Sequence, residues 1–375
     1  MTAADAAIRI DWCPLDRLAA LQSFVDMHWS RGHVLARDAE LMRWQHRHPT
    51  DPERLAVLVA DRGEEMVGIL GLIPYAFCDH GQRLDAAWLT TWQVRPGRDV
   101  QVAGLRLMGE AIRRYSVVGT IGANAYVMPA FEALGFDNWP EVPRWVRVLD
   151  GGALDALLAE APEIYPERTR MAWCDRGEET LASSEALDWR LVDGGSEHAP
   201  AWDRTWRDTF APHLRGTWRD TAYLDWRYRA HPSFDYSVRL VLDGNGTACG
   251  LSVDRLEKLR GRSEVVVRLV EFLATDTAAP ALAADVIGRA RAAGATMIDF
   301  FCTGSTFARP LEQAGFVREK DMPSALPSLF QPLELEPRPL RAAFRVGRDH
   351  GDSADYFRSS RLYLTRSDCD QDRPN

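Results

Sequence analysis

Four side chains in the sequence have the chemistry to move a proton near neutral pH: His28, His33, Tyr126 and Glu271. Imidazole titrates closest to neutrality, so the two histidines, which flank Trp29, are candidates for acid–base work. A tyrosine can act as a general acid, and a carboxylate inside an apolar strand, as at Glu271, is costly to bury without a partner. Each group also fits a structural role: a surface or capping histidine, a packed loop tyrosine and a buried ion pair.

The elements that must position these groups follow from the hydrophobic pattern. Segments rich in β-branched and aromatic residues predict strands, and apolar residues at helical spacing, such as Leu105, Met108 and Ile112, predict a helix. Gly135 is typical of a helix end. The predicted elements are strands at 55–60, 66–75, 84–94 and 116–124 and helices at 102–115 and 129–134.

The same order of elements recurs in the second half of the chain. The matched positions are Trp44 with Trp226, Gly68 with Gly250, and Gly135-Phe136 with Gly315-Phe316. Chance rarely supplies three such matches in order at nearly constant spacing, so we infer an internal repeat. The second copy is predicted as strands at 237–242, 248–253, 265–274 and 296–302 and helices at 279–293 and 308–314.

The repeat predicts an α/β protein of two tandem domains. We expect the first at residues 1–150 and the second, with a C-terminal extension, at residues 187–375. Residues 151–186 are acidic and are expected to form a connector on the surface. Late strands are predicted at 344–346 and 361–365, and the polar run 367–373 is expected to be exposed.

Composition restricts the class of protein further. The chain has 375 residues, of which 46% are hydrophobic, and a formal net charge of −9, which disfavours nucleic acid as a partner. The six cysteines are scattered without a C-x-x-C pair, so we expect reduced thiols and no metal site. Residues 1–9 are short and polar, so we expect no signal peptide, and the sequence has no apolar run of the roughly 20 residues that span a bilayer. We expect a soluble, cytoplasmic monomer or homodimer with no membrane partner.

Three motifs occur in a fixed order in the first copy: Val94-Arg95-Pro96 after a strand, then Asn124, then Phe131-Glu132-Ala133-Leu134-Gly135-Phe136. Over residues 50–140 this order resembles the GNAT-type N-acetyltransferase superfamily, and residues 235–317 resemble it more weakly. The resemblance implies two GNAT-like domains, each a central mixed, mostly antiparallel sheet flanked by helices. The tandem plan is similar to acyltransferases associated with surface-polysaccharide and amino-sugar biosynthesis.

The resemblance implies acetyl-CoA or another acyl-CoA as co-substrate of the first copy. In this family a strand that separates from its neighbour binds the pantetheine arm, and a helix N-terminus binds the pyrophosphate. The implied cofactor-binding residues are Val94, Arg98, Val100, Gln101, Val102, Ala103, Gly104 and Asn124. The family's R/Q-x-x-G-x-G/A loop falls on Asp99, Val102 and Gly104 without a gap, or on Gln101, Gly104 and Arg106 with a two-residue insertion. We prefer the first register, although an ordinary strand–loop–helix connection is the structural alternative.

In the second copy the corresponding loop, residues 275–283, has neither a glycine nor a cation, and Asp276 would repel a pyrophosphate. We therefore expect this copy not to bind CoA. Relatives often use a Glu before V-x-P and a Tyr on the late helix, where the first copy has Thr90-Thr91-Trp92-Gln93 and Phe131. The replacement candidates for catalysis are Tyr126, His28 and Glu271, and those for substrate binding are Thr91, Trp92, Tyr75 and His33.

These residues predict transfer of an acyl group from acyl-CoA to an amine of a small metabolite, with an amino sugar as the acceptor class that the resemblance suggests. Two alternatives stay open. One is a catalytically degenerate acyl-CoA-binding or scaffold protein, which the missing acid and base favour. The other is an aminoacyl-tRNA-dependent transferase, against which the net charge counts.

Overall fold

The computed structural model describes residues 7–139, 141–165, 189–304, 308–322, 324–331, 333–350 and 360–374. Contacts between residues divide the chain into two compact units. Unit 1 comprises Met1–Pro140, Leu340–Arg358 and Asp368–Asn375, and unit 2 comprises Glu141–Pro339 and Ser359–Ser367. Both units therefore contain residues from both halves of the sequence, unlike the contiguous ranges that the sequence suggested.

The first part of the chain alternates strands and helices within unit 1. A π-helical turn extends α1 to Trp29, and a 3₁₀ turn at Arg98–Val100 precedes α4. The elements are β1 (Ile8–Pro14), α1 (Leu18–Phe24), α2 (Val34–Arg37), α3 (Ala39–Gln45), β2 (Arg54–Arg62), β3 (Glu65–Asp79), β4 (Gln82–Val94), α4 (Gln101–Arg114), β5 (Val117–Ile121), α5 (Met128–Ala133) and β6 (Asp137–Trp139).

The middle of the chain forms unit 2. Its elements are β7 (Arg144–Val148), α6 (Gly151–Leu158), β8 (Arg190–Asp193), α7 (Ala199–Thr205), β9 (Arg215–Thr217), α8 (Thr221–Leu224), β10 (Ser237–Leu242), β11 (Ala248–Lys258), β12 (Val265–Ala274), α9 (Ala279–Ala292), β13 (Ala295–Phe301), α10 (Ala308–Gln313), β14 (Val317–Arg318), β15 (Leu329–Phe330) and β16 (Leu333–Glu334). Two further strands follow, β17 (Ala342–Val346) in unit 1 and β18 (Leu362–Tyr363) in unit 2.

Each unit contains a path of seven strands in the same spatial order. In unit 1 the order is β1-β2-β3-β4-β5-β17-β6, and in unit 2 it is β8-β10-β11-β12-β13-β7-β14. Neighbouring strands are antiparallel except β4 with β5 and β12 with β13, which are parallel. The predicted fold class, a mixed and mostly antiparallel sheet flanked by helices, is confirmed. The sixth strand on each path comes from the other half of the sequence, which explains why the units are not contiguous.

Unit 1 has apolar clusters that involve helices from different parts of the chain. Leu107, Met108 and Ala111 of α4 belong to one cluster with Leu58 and Leu70 of the sheet. A second cluster contains residues of β2 and β3 together with α1, α2 and α3. Apolar residues at helical spacing thus give α4 its buried face, while Glu110 on the same helix is in ion pairs with nearby arginines.

The beginning of the predicted surface connector is part of the core of unit 2. Leu154, Leu157 and Leu158 of α6 are buried, in one cluster with Val146 and Met297. The expectation of a surface position was wrong for this stretch because the apolar spacing of α6 outweighs the acidic composition around it. Residues 166–186 lie outside the described residues.

Two observations concern the whole of the described chain. No helix within the described ranges is long and apolar enough to cross a membrane. The same ranges contain no group of three or more His, Cys, Asp or Glu side chains placed to hold a metal ion.

Candidate functional site

Strands β4 and β5 separate and leave a gap in the sheet of unit 1. They pair only over Ala86–Trp88, which lie opposite Val117–Gly119. Beyond this pairing β4 continues to Val94, and β5 ends at Ile121. The stretch Leu89–Val94 therefore borders a gap on its β5 side, and we call this space the β4–β5 gap.

The backbone of β4 points hydrogen-bond donors into this gap. The N–H of Arg95 donates to the carbonyl of Val67 at 3.0 Å, on the β3 side. Because successive N–H groups of a strand point to opposite sides, those of Val94 and Trp92 point away from β3. In the described part of the chain β4 has no strand partner there beyond Trp88. Such an edge can bind an extended ligand through main-chain hydrogen bonds.

A bulge in β4 places two threonines beside the gap. Leu70 lies opposite Trp92 and Leu72 opposite Leu89, so Thr90 and Thr91 together face Gly71. A Cβ at Gly71 would overlap Thr90 Oγ1 and lie 2.9 Å from Cε1 of His46, so this position requires glycine. Thr91 is 3% exposed, and its hydroxyl has no hydrogen-bond partner among the described residues. A buried hydroxyl in that state costs free energy, which a bound polar group would recover.

Helix α4 begins where β4 ends and presents a free N-terminus. Its 14 residues start at Gln101, and the N-cap residue Val100 makes no side-chain capping bond. The first four N–H groups of a helix have no acceptor within the helix, and they attract anions. Arg98, in the preceding turn, is exposed. The predicted phosphate loop therefore lies at a helix N-terminus, and its N–H groups belong to residues 101–104.

Gly104 allows α4 to lie close against β4. A Cβ at this position would be 3.3 Å from Val94 and 3.4 Å from Trp92, and Nε1 of Trp92 donates to the Gly104 carbonyl at 3.1 Å. Ala103 is fully buried on the same face, whereas Val102 and Leu105 are exposed. The structure thus brings Val94, Gly104 and the helix N-terminus to one end of the gap.

The side chains of several predicted site residues have structural contacts. The Trp92 ring lies 5.8 Å from that of Phe131 within an apolar cluster. The Tyr75 ring stacks on Trp88 at 4.8 Å. Asn124 Oδ1 accepts the N–H of Val127 at 3.1 Å and so stabilises a turn. The Tyr126 side chain is 91% exposed.

The two predicted histidines differ in their surroundings. His33 is the N-cap of α2, where Nδ1 accepts the N–H of Leu35 at 3.1 Å, so the proton of the neutral ring is assigned to Nε2. Burial, followed by the nearby charge of Arg373, lowers the pKa of His33 to about 4. At neutral pH His33 is therefore a hydrogen-bond donor whose lone pair is engaged, which suits substrate binding better than proton removal. His28 is half-buried, and its ring lies 4.7 Å from that of Phe24.

Residues 368–374 form a buried part of unit 1, and we call them the 368–374 segment. Cys369, Asp370 and Asp372 are buried, so the expectation that this polar run is exposed was wrong. The Cys369 thiol donates to the Leu89 carbonyl on β4 at 3.6 Å. The guanidinium of Arg373 lies 5.8 Å from the Trp29 ring. Sequence reasoning missed this segment as part of the site, and its one signal was a cysteine, a residue type that is usually buried, within a polar run.

The 368–374 segment also connects His33, a predicted substrate-binding residue, to the bulge of β4. The charges of Asp370 and Arg373 act on both His33 and His46, and the His33 ring lies 4.4 Å from that of Trp29. Because His46 also approaches Thr90 across Gly71, these groups share one neighbourhood in unit 1. Within the described residues, Tyr126 and His28 make no side-chain hydrogen bond with these groups, although the turn Val25–Trp29, which carries His28, packs against β4.

Unit 2 has the corresponding gap, but protein occupies it. β12 pairs with β13 over Val265–Leu269 and then continues to Ala274. Gly250 lies opposite Ala274 as Gly68 lies opposite Val94, so Phe272 holds the position of Trp92. The Phe272 N–H donates to the Tyr363 hydroxyl at 2.9 Å. The donor that would face a ligand in unit 1 is thus satisfied internally in unit 2.

Glu271 lies at the centre of the buried hydrogen-bond network that also includes Tyr363. Its carboxylate is 0% exposed and accepts from Arg219 Nε at 2.7 and 2.8 Å. The hydroxyls of Tyr228 and Tyr363 donate to it at 2.7 and 2.9 Å. Burial, followed by the charge of Glu271, raises the pKa of both tyrosines well above the usual value. These contacts support the structural alternative for Glu271, a buried ion pair, over a role in proton transfer.

A cavity of about 640 Å³ lies elsewhere in unit 2, beside Phe234, Tyr236 and the end of α9. The arginines beside it have partners: Arg289 binds Asp254 at 2.9 and 2.6 Å, and Arg255 lies over the Phe234 ring. The cavity therefore offers a ligand no unpaired charge from these groups, and we place the candidate site in the β4–β5 gap.

Comparison with known proteins identifies the fold. No protein-family model matches the chain, and no curated protein matches it significantly. Solved structures do match, at TM-scores of 0.55 for a GCN5-related N-acetyltransferase from Kribbella flavida (14% identity) and 0.55 for one from Anabaena variabilis ATCC 29413 (12%). A probable N-acyltransferase from Enterococcus faecalis V583 matches at 0.52 (13%).

The alignments cover 91–92% of this chain and 72–73% of the other chains. At these identities the comparison establishes the fold, which is that of the GCN5-related N-acetyltransferases.

Proposed function

We propose that unit 1 transfers an acyl group from acyl-CoA to an amine of a small metabolite. The observation that carries this proposal is the unpaired edge of β4 in the β4–β5 gap, which leads directly to the N-terminus of α4. The N–H groups of Trp92 and Val94 would bind the carbonyls of the thioester and the pantetheine arm. The N–H groups of residues 101–104, with Arg98, would bind the pyrophosphate.

The chemistry would follow from these positions. A neutral amine attacks the thioester carbonyl, the C–N bond forms, the C–S bond breaks and CoA leaves as the thiol. An N–H of β4 stabilises the oxyanion that develops on the carbonyl oxygen. The strand before Val94 has Thr90-Thr91-Trp92-Gln93 where relatives often carry a carboxylate, so another group must take the proton from the amine. Of the predicted groups, His28 remains the candidate base and Tyr126 the candidate acid.

We further propose that the two units are tandem copies of one ancestral unit, of which only the first binds CoA. The shared strand order supports this, as do the Phe272–Tyr363 hydrogen bond and the Glu271 network that occupy the gap of unit 2. An amino sugar is the first acceptor class to test, and His33 is a neutral donor available for its hydroxyls. We expect a cytoplasmic monomer or homodimer that binds no nucleic acid or membrane, consistent with a net charge of −9.

Isothermal titration calorimetry with CoA and acetyl-CoA tests the proposal. We expect both ligands to bind, and Arg98→Glu to weaken both by at least about 10-fold, because a charge-assisted hydrogen bond contributes about 1.5–3 kcal/mol. The matched control is Arg113→Glu, a fully exposed arginine about 18 Å farther along α4. The control should bind CoA like the wild type.

Two outcomes would contradict the proposal. If the wild type binds neither ligand at millimolar concentration, unit 1 is not an acyl-CoA site. If the wild type binds both and Arg98→Glu leaves affinity unchanged, the pyrophosphate lies elsewhere than the N-terminus of α4.

A second candidate function is binding of acyl-CoA without catalysis. The observation that favours it is the absence of the usual acid and base, since Thr90-Thr91-Trp92-Gln93 contains no carboxylate and the late helix has the buried Phe131 in place of a tyrosine. Release of the CoA thiol, followed with a thiol reagent and a panel of amines that includes amino sugars, separates the two functions. Binding without thiol release for any amine would support the second.

A further inference from the structure

The 368–374 segment closes the inner end of the β4–β5 gap. The last paired residues of the two strands are Trp88 and Gly119. The Cys369 sulfur contacts backbone groups just beyond them, the Leu89 carbonyl on β4 at 3.6 Å and the backbone of Ile121 on β5. Cys369 is 4% exposed, so its side chain fills the point at which the strands separate.

Several contacts hold this side chain in place. Cys369 has a φ of 64°, a left-handed conformation that costs a residue with a Cβ about 1–3 kcal/mol and persists only where the surroundings impose it. The Asp370 carboxylate accepts from Gln371 Nε2 at 2.9 Å and also from Arg373. Gly122, at the end of β5, has a φ of 89°, and a Cβ there would overlap the Gln371 side chain. The segment is therefore fitted closely to the strand end.

The position of Cys369 limits what can lie deeper in the gap. If the cofactor enters along α4, its thioester lies near the Trp92 N–H and its acyl chain continues toward Leu89. Trp92 and Leu89 lie opposite Leu70 and Leu72, two residues apart on β3, so at a rise of about 3.3 Å per residue about 7 Å of strand separates them. The hydrogen bond to the thioester carbonyl runs across the strand, so a contact of about 3.5–4 Å between the acyl chain and the sulfur leaves room for about two or three carbon atoms.

We propose that Cys369 sets the length of the acyl group, so that unit 1 accepts acetyl and propionyl groups and excludes a hexanoyl group. This inference rests on the proposed function, because it places the acyl chain of acyl-CoA in the β4–β5 gap. In an open apolar channel each additional buried methylene would strengthen binding several-fold, so a longer chain would bind more tightly. Because Cys369 blocks the inner end of the gap, binding should instead weaken as the acyl chain lengthens, and we call this role of Cys369 the stopper.

The experiment is a calorimetric titration of CoA, acetyl-CoA, propionyl-CoA and hexanoyl-CoA into the wild type and Cys369→Gly. Glycine adopts a φ of 64° without strain, so this variant should fold. We expect the wild type to bind hexanoyl-CoA at least 10-fold more weakly than acetyl-CoA. Cys369→Gly should bind hexanoyl-CoA at least as tightly as acetyl-CoA, with CoA affinity unchanged. Cys13→Ala, which removes a buried thiol from another cluster of unit 1, should keep the wild-type order.

The outcomes separate this inference from the proposed function. If CoA and acetyl-CoA bind and the wild type binds hexanoyl-CoA equally well, the stopper is refuted while the acyl-CoA site stands. If Cys13→Ala admits hexanoyl-CoA as Cys369→Gly does, general loosening of the core explains the change and the stopper is again refuted. If not even CoA binds, the proposed function fails and this inference fails with it.

Discussion

The role of Glu271 can be tested by one isosteric substitution. Glu271→Gln keeps the shape of the side chain but removes the charge that Arg219 faces in a site where both are 0% exposed. Breaking a buried ion pair by removing one partner costs about 3–5 kcal/mol. The glutamine can still accept from Tyr228 or Tyr363, so we expect a loss of about 3 kcal/mol in the free energy of unfolding of unit 2.

Urea unfolding followed by tryptophan fluorescence measures that loss, and calorimetry with CoA measures function on the same samples. We expect reduced stability with unchanged CoA affinity. Glu312→Gln, an exposed glutamate on α10, is the control and should change stability by less than about 0.5 kcal/mol. The reasoning would be refuted if Glu271→Gln were as stable as the wild type but had lost release of the CoA thiol, because that result would make Glu271 catalytic.

Two further predictions concern unit 1. Gly122→Ala should lower the melting temperature and increase hydrogen exchange in the 368–374 segment. The reason is that the added methyl group overlaps Gln371 and that the φ of 89° disfavours a side chain. Unchanged exchange would contradict the close packing of Gln371 against Gly122. Burial lowers the pKa of His46 to about 4, below the value of about 6.5 in the unfolded chain. Between these two pH values the unfolded chain binds more protons than the folded protein, so the free energy of unfolding decreases as the pH falls from about 6.5 to about 4. Between pH 7 and pH 5 this histidine should account for about 2 kcal/mol of lost stability, measured as the difference in slope between the wild type and His46→Gln. Equal slopes would refute this prediction, because they would show that folding leaves the pKa of His46 unchanged.

Much of the fold could be predicted from local pattern. The strand predicted at 265–274 is β12 with the same bounds, and α9 differs from its prediction by one residue. These elements bury a continuous or helically spaced set of apolar side chains, which a sequence displays directly. β7 was missed because two of its five residues are arginines. Arg144 is buried with partners far away in the sequence, among them Asp299 at 2.7 Å and Glu319 at 2.7 Å.

Parts of the candidate site could also be predicted from local sequence pattern, whereas another part depends on contacts between distant residues. The helix N-terminus at residues 101–104 and the position of Thr91 follow from the strand, loop and helix that the sequence displays. The 368–374 segment does not, because its polar residues are buried through hydrogen bonds and ion pairs within the fold, such as that of Asp370 with Arg373. The β4–β5 gap could be expected from the resemblance alone, whereas its closed end depends on a distant part of the chain.

The exchange of one strand between the two halves of the sequence has a consequence for synthesis. Phe344 must pair with Gly119 before the sheet of unit 1 is complete, and Cys369 must reach Leu89 before its gap is closed. Such distant pairing adds little to the equilibrium cost, since each doubling of a loop costs only about 0.6 kcal/mol. It slows folding considerably, because contacts between distant residues form late. On the ribosome the first half of the chain would wait with an exposed edge at β5 until residues 342–346 emerged, and this interval is when the protein would most need a chaperone.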